Sequence, residues 1–151
     1  MKTVRTQMLF LFFLFCLIPS FVSAHCEIPC GIYDDGARID MIAEHATTIE
    51  KSMKEISILQ QAKPVNYFNQ LVRWVVNKEE HANAVQHIVT QYFMTQRIKF
   101  DSKGYEEKLA LLHQMLVYAM KCKQTTDLTH VEKLRSALAE FRNLYFGSSQ
   151  K

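Results

Sequence analysis

What the chain has little of narrows its class. Four glycines and three prolines in 151 residues are too few for a loop-built or low-complexity protein. No segment alternates apolar and polar residues over the length of a strand, so no sheet is expected. No Glu is followed by His three residues later and no His-Glu-x-x-His stretch occurs, which removes the usual di-iron and zinc-hydrolase patterns of helical proteins. The first 24 residues contain no acidic side chain. Without them the chain has 127 residues with 16 basic and 15 acidic groups, a formal charge of +1 instead of +3. That near balance excludes a strongly basic nucleic-acid binder. The length suits one domain, and 48% apolar residues suffice for a packed core.

Residues 1–24 have the three parts of a secretory leader. Lys2 and Arg5 form the charged end, and Met8 to Ile18 is an unbroken apolar run of 11 residues. Pro19 and Ser20 follow, then Val22-Ser23-Ala24 sets small residues at the positions a signal peptidase reads, so cleavage is expected between Ala24 and His25. As a helix the run reaches only about 16 Å against a hydrocarbon core of roughly 30 Å, so no stable membrane span is expected. Lipidation at Cys26 is disfavoured by the bulky His25 before it. The expected product is a secreted or periplasmic domain, residues 25–151. Cys16 leaves with the leader, and Cys26, Cys30 and Cys122 remain. An odd number of cysteines in an oxidising compartment cannot all pair within one chain.

Along the mature chain, Ile39, Ile42, Ala46, Ile49, Met53 and Ile56 alternate spacings of three and four and predict one helix ending at Lys63-Pro64. A second is predicted from about Asn66 to Gln96, with Phe68, Leu71, Val75, Ala82, Val85, Val89 and Tyr92 on one side and a polar interruption at Lys78-Glu79-Glu80-His81. Asp101-Ser102-Lys103-Gly104 reads as a turn before a third helix through Leu109, Leu112, Leu116 and Ala119 to near Lys123. A fourth, capped by Thr129 with Glu132 or by Asp127, carries Leu128, Val131, Leu134, Leu138, Phe141 and Tyr145 up to Gly147. Four amphipathic helices with short connections predict an all-α, antiparallel up-and-down bundle over about residues 36–147. Met41, Met53, Met94, Met115 and Met120 read as core filler, and Cys122 as a buried apolar group.

The chemistry concentrates at the new N-terminus, His25-Cys26-Glu27-Ile28-Pro29-Cys30-Gly31-Ile32-Tyr33. Two cysteines four apart are compatible with a disulfide or with two exposed thiols. A cut before His25 frees an α-amine on the residue that carries an imidazole, next to the deprotonatable peptide nitrogen and the thiolate of Cys26. Amine, amide nitrogen and the sulfurs of Cys26 and Cys30 make a set of two nitrogens and two sulfurs, which in a plane suits Ni(II) or Cu(II) rather than tetrahedral Zn(II). Pro29 and Gly31 bracket Cys30 and favour the tight turn such chelation needs.

This nonapeptide resembles the nickel hook of nickel superoxide dismutases, His-Cys-x-x-Pro-Cys-Gly-x-Tyr at the mature N-terminus. His25, Cys26, Pro29, Cys30, Gly31 and Tyr33 fill every specified position. The resemblance implies a hook over residues 25–33 on a four-helix bundle, with one nickel ion per chain held by His25, Cys26 and Cys30 and the His25 imidazole axial in the oxidised state. It implies disproportionation of superoxide to dioxygen and hydrogen peroxide with nickel alternating between Ni(III) and Ni(II). It also implies that Tyr33 covers the open face and helps to position the small anion, and that the chain assembles as a homohexamer.

Two positions depart from the family pattern. The carboxylate that orients the axial imidazole is commonly Glu in an Arg-Ile-Glu stretch; here Ala37-Arg38-Ile39-Asp40 offers the shorter Asp40. In the Lys-Glu-x-x-Ala context that supplies a supporting Arg from a neighbouring subunit, His81 stands instead. His45, His87, His113 and His130 read as surface or interface residues. The alternative to the enzyme is a secreted helical module, metal-binding or stapled by a Cys26–Cys30 disulfide, without turnover.

Overall fold

In the computed structural model, residues 31–147 are described. They form four helices and, among the described residues, no strand: α1 (Asp35–Ala62), α2 (Tyr67–His87), continued without a break by a π-helical segment (Ile88–Arg97), α3 (Tyr105–Gln124) and α4 (Thr129–Gly147). Each helix packs on its neighbours in sequence, and α4 closes the ring on α1. The result is the expected antiparallel four-helix bundle.

The α1 stripe forms as its spacing requires. Ile39, Ile42, Ala46, Ile49 and Met53 are fully buried and Ile56 nearly so; each of the Ile and Met side chains contributes about 1.5–3 kcal/mol by leaving water. Asp34 starts the helix, its carboxylate Oδ1 accepting a hydrogen bond from the Ala37 amide at 2.9 Å. Lys63 ends it in the left-handed region, its N–H donated back to the Leu59 carbonyl, and Pro64 prevents continuation.

The second helix differs from its predicted stripe. Ala82, Val85, Val89 and Tyr92 are buried, but Phe68 is 78% exposed and Val75 38%. Length explains this. At about 1.5 Å per residue, the 28 residues of α1 span about 42 Å and the 20 of α3 only about 30 Å. The tip of the α1–α2 hairpin therefore outruns the bundle, and its apolar side chains find no third helix to cover them. At the other end the π segment brings Phe93 into the core against the rings of Phe141 and Tyr145, at 5.1 and 5.7 Å between centroids.

Lys78, an interruption of the stripe by sequence, is buried. Its ammonium donates to the backbone carbonyls of Lys123 at 2.6 Å and Thr125 at 3.2 Å, satisfying acceptors that the end of α3 leaves open. Lys123 in turn donates to Asn83 and Gln86 on α2. Asp127 rather than Thr129 caps α4, its carboxylate accepting from the Thr129 amide. Met53 and Met115 fill the core as expected, but Met41 and Met120 lie at the surface, where the stripes of α1 and α3 turn away from the bundle axis.

Phe93 joins the π segment to the core, so Phe93→Ala is expected to lower the unfolding free energy by about 3–5 kcal/mol, measured as a shift of the urea midpoint.

Candidate functional site

The expected nickel ligands, His25, Cys26 and Cys30, lie outside the described residues. The described chain opens on Gly31, whose φ of 80° is in the region that favours glycine, and then runs through an exposed Ile32 to Tyr33. From Tyr33 onward the segment is tied to the bundle.

Asp35, the first residue of α1, is the centre of that attachment. Arg97 grips its carboxylate in two places, Nε to Oδ1 at 2.8 Å and Nη2 to Oδ2 at 2.7 Å. The Tyr92 hydroxyl donates to Oδ1 at 2.6 Å and the Tyr145 hydroxyl to Oδ2 at 2.8 Å. One carboxylate thus collects donors from the π segment and from α4 while standing in the first turn of α1, where the helix dipole favours a negative charge. Burial works against ionisation, but the hydrogen bonds from Arg97, Tyr92 and Tyr145 outweigh it and hold the Asp35 carboxyl below its ordinary 3.8. Burial and the bond to Asp35 push the Tyr145 phenol up to about 12 and raise the Tyr92 phenol further still, so both remain donors.

The π segment makes this convergence possible. In an α-helix residues five apart are rotated from each other by about 140°; in a π-helix they are joined across one hydrogen-bonded turn. The Ile98 amide accordingly donates to the Phe93 carbonyl at 2.9 Å, five residues back. Tyr92 and Arg97 share this spacing and meet on one carboxylate.

Tyr33 rests on the same cluster. The Arg97 guanidinium carbon lies 4.2 Å from the centre of its ring, and the Tyr92 ring meets it edge to face at 5.9 Å. With 38% of its surface exposed, Tyr33 is seated on one side and open to solvent on the other.

The two residues expected around the axial imidazole are not brought to each other within the chain. Asp40 is exposed on α1, and its Oδ1 accepts from Arg142 of α4 at 2.7 Å. His81 on α2 faces His45 on α1, with 2.9 Å between their Nδ1 atoms, so one ring donates and the other accepts. Desolvation, with His81 adding to it, pushes His45 below its ordinary 6.5.

Among the described residues no three His, Cys, Asp or Glu side chains converge as a metal-holding group. Cys122 is fully buried, and burial pushes its thiol up to about 11, so it stays protonated and is a poor ligand. The donor set that would suit nickel is in the sequence of residues 25–30: the thiols of Cys26 and Cys30 and, once the chain is cut before His25, an amine and an amide nitrogen. They join the bundle through Gly31 and the seated Tyr33.

The family model of nickel-containing superoxide dismutases matches residues 20–149, a span that includes the whole hook sequence and all four helices. The chain belongs to that family. A protein named superoxide dismutase [Ni] from Streptomyces seoulensis is 27% identical over 130 residues, covering 83% of this chain and 88% of its own length. No solved structure matches the chain.

The Asp35 cluster is not legible in the sequence. Tyr92 and Tyr145 are visible there only as members of apolar stripes, and nothing local marks Arg97 as the partner of a residue 62 positions away. The usable signal is Asp34-Asp35 at a helix start, two acids where one caps the helix and leaves the other for a second task.

Because the Asp35 carboxyl is held below its unfolded value, its contribution to stability is fully present above about pH 4 and is lost as pH falls through the depressed folded value. Urea titrations of the metal-free chain should therefore show Asp35→Asn less stable by about 2 kcal/mol at neutral pH. The gap should close in acid.

Proposed function

We propose that the mature chain, exported and cut after Ala24, is a nickel-dependent superoxide dismutase in which His25, Cys26 and Cys30 hold one nickel ion. The observation that carries this reading is the complete hook pattern at a predicted cleavage point, inside the span matched by the family model. Bound nickel supplies one-electron Ni(III)/Ni(II) exchange, which oxidises one superoxide to dioxygen and reduces a second, with two protons, to hydrogen peroxide.

The chain's own residues supply the rest. Cleavage frees the His25 amine, and the Cys26 amide nitrogen and both cysteine thiols must lose protons to bind. Tyr33, supported on its inner side by Arg97 and Tyr92, presents its outer side to solvent next to the hook and screens the approach of the anion. Asp40, with one oxygen fixed by Arg142, is the carboxylate that orients the His25 imidazole. His81, bonded to His45, is an imidazole where some family members have Arg, and it serves the neighbouring site of an oligomer only if that bond is exchanged.

Association into a homohexamer is part of the same reading. It is supported by the exposed apolar side chains at the hairpin tip, Ile58, Val65, Phe68, Val72 and Val76, which gain burial when chains meet. No helix among the described residues is long and apolar enough to cross a membrane.

Protein starting at His25 should hold about one nickel per chain by elemental analysis and accelerate superoxide decay in a rapid-mixing assay. Cys26→Ser, Cys30→Ser or one extra residue before His25 should abolish both. A mature protein two mass units lighter than the reduced chain, free of metal and inactive after reduction and nickel addition, would identify the disulfide-stapled module instead. Light scattering should give a mass near six chains, and Phe68→Glu should reduce it.

A further inference from the structure

The Asp35–Arg97 pair lies beside Tyr33 and is not among the proposed nickel ligands. Its construction is costly. Two charged groups are removed from most of their water, with side-chain exposures of 15% for Asp35 and 25% for Arg97. The pair also depends on a rare ten-residue π-helical segment, whose five-residue spacing sets Tyr92 and Arg97 on one carboxylate. Buried ion pairs contribute little net stability against well-packed apolar groups, so fold stability is a weak reason for this one. Its arrangement suits a different task. The bidentate grip fixes the plane of the guanidinium, and that group supports the Tyr33 ring at 4.2 Å, while Tyr92, fixed by the same carboxylate, closes the ring's edge.

We infer that Arg97 and Asp35 are positioning residues for Tyr33, setting the orientation of its ring at the mouth of the hook. The inference rests on the reading of Tyr33 as the residue that screens the anion's approach. It is distinct from electrostatic attraction of superoxide by Arg97. The Arg97 charge is matched by Asp35 at 2.7 Å, and the pair presents almost no net charge at the distance of an approaching anion.

The two possibilities differ in sign. If Arg97 attracted superoxide, Asp35→Asn would free its charge and speed the reaction, and Arg97→Lys would preserve it. If Arg97 positions Tyr33, both substitutions slow the reaction, because Lys has neither the two-point grip nor the flat face.

Two measurements separate the inference from the reading it rests on. The first needs no nickel. In the metal-free full chain with ¹³C-labelled tyrosine rings, the Tyr33 signal, assigned by its loss in Tyr33→Phe, should be displaced from the free-tyrosine position. It should return there in Arg97→Lys, Arg97→Ala and Asp35→Asn. The signals of Tyr67, Tyr105 and Tyr118 should stay in place and report that each variant is folded. An unmoved Tyr33 signal in folded Arg97→Lys and Asp35→Asn would overturn the inference. Should Arg97→Ala not fold, those two milder variants carry the test.

The second uses mature, nickel-loaded protein. Arg97→Lys and Asp35→Asn should each lower the second-order rate with superoxide by about tenfold, with the nickel spectrum and the slope against ionic strength unchanged. Combined with Tyr33→Ala, neither should lower it further. A faster Asp35→Asn enzyme, or an Arg97→Lys enzyme as fast as the unaltered protein, would overturn the inference in favour of attraction. Wild-type protein that binds nickel but does not consume superoxide would overturn the functional reading while the ring signals still decide whether the pair positions Tyr33.

Discussion

One carboxylate joins the helices, which fold by ordinary burial, to the segment that leads in from the hook sequence. Asp35 begins α1, receives Arg97 and Tyr92 from the π segment and Tyr145 from α4, and so joins three elements at the end of the bundle where the N-terminal segment enters. The bonds depend on one another. Arg97 can neutralise Asp35 only because the π spacing turns it to the face of Tyr92, and Tyr92 can be buried to 4% exposure only because its hydroxyl has that acceptor. Removing the carboxylate would leave an Arg and two phenols without their shared acceptor.

The fold is readable in the sequence because it rests on repetition. A stripe such as Ile39 to Ile56 repeats its signal six times, and the turn at Asp101 to Gly104 announces itself in composition. What the stripes do not carry is length relative to neighbours. Phe68 and Val75 satisfy a helical pattern as well as Ala82 and Val85 do, yet they are exposed because α3 is too short to reach them. Lys78 shows the converse. A cation in mid-stripe suggests a solvated turn, but its long stem crosses the interface to reach the open carbonyls at the end of α3, a partner 45 residues away.

The hook pattern is readable for a different reason: the residues proposed as donors are neighbours in sequence, so the pattern is visible without any long-range contact. The groups expected to surround it are not local. Asp40 is found with Arg142, 102 residues away, and His81 with His45, 36 away, and neither pairing leaves a trace in the spacing of either partner. A family pattern names side chains without naming their contacts.

The attachment at Tyr33 and Asp35 also bears on how a nine-residue segment can hold an ion reproducibly. A chain spans at most about 3.3–3.6 Å per residue, so fixing Asp35 alone confines Cys30 to within about 17 Å of it, and fixing Tyr33 as well confines Cys30 to within about 10 Å of that residue. The volume open to the sulfur falls with the cube of this reach, by roughly fivefold. Anchoring Tyr33 from beneath therefore brings the constraint of the bundle to within three residues of Cys30, the nearest of the proposed donors.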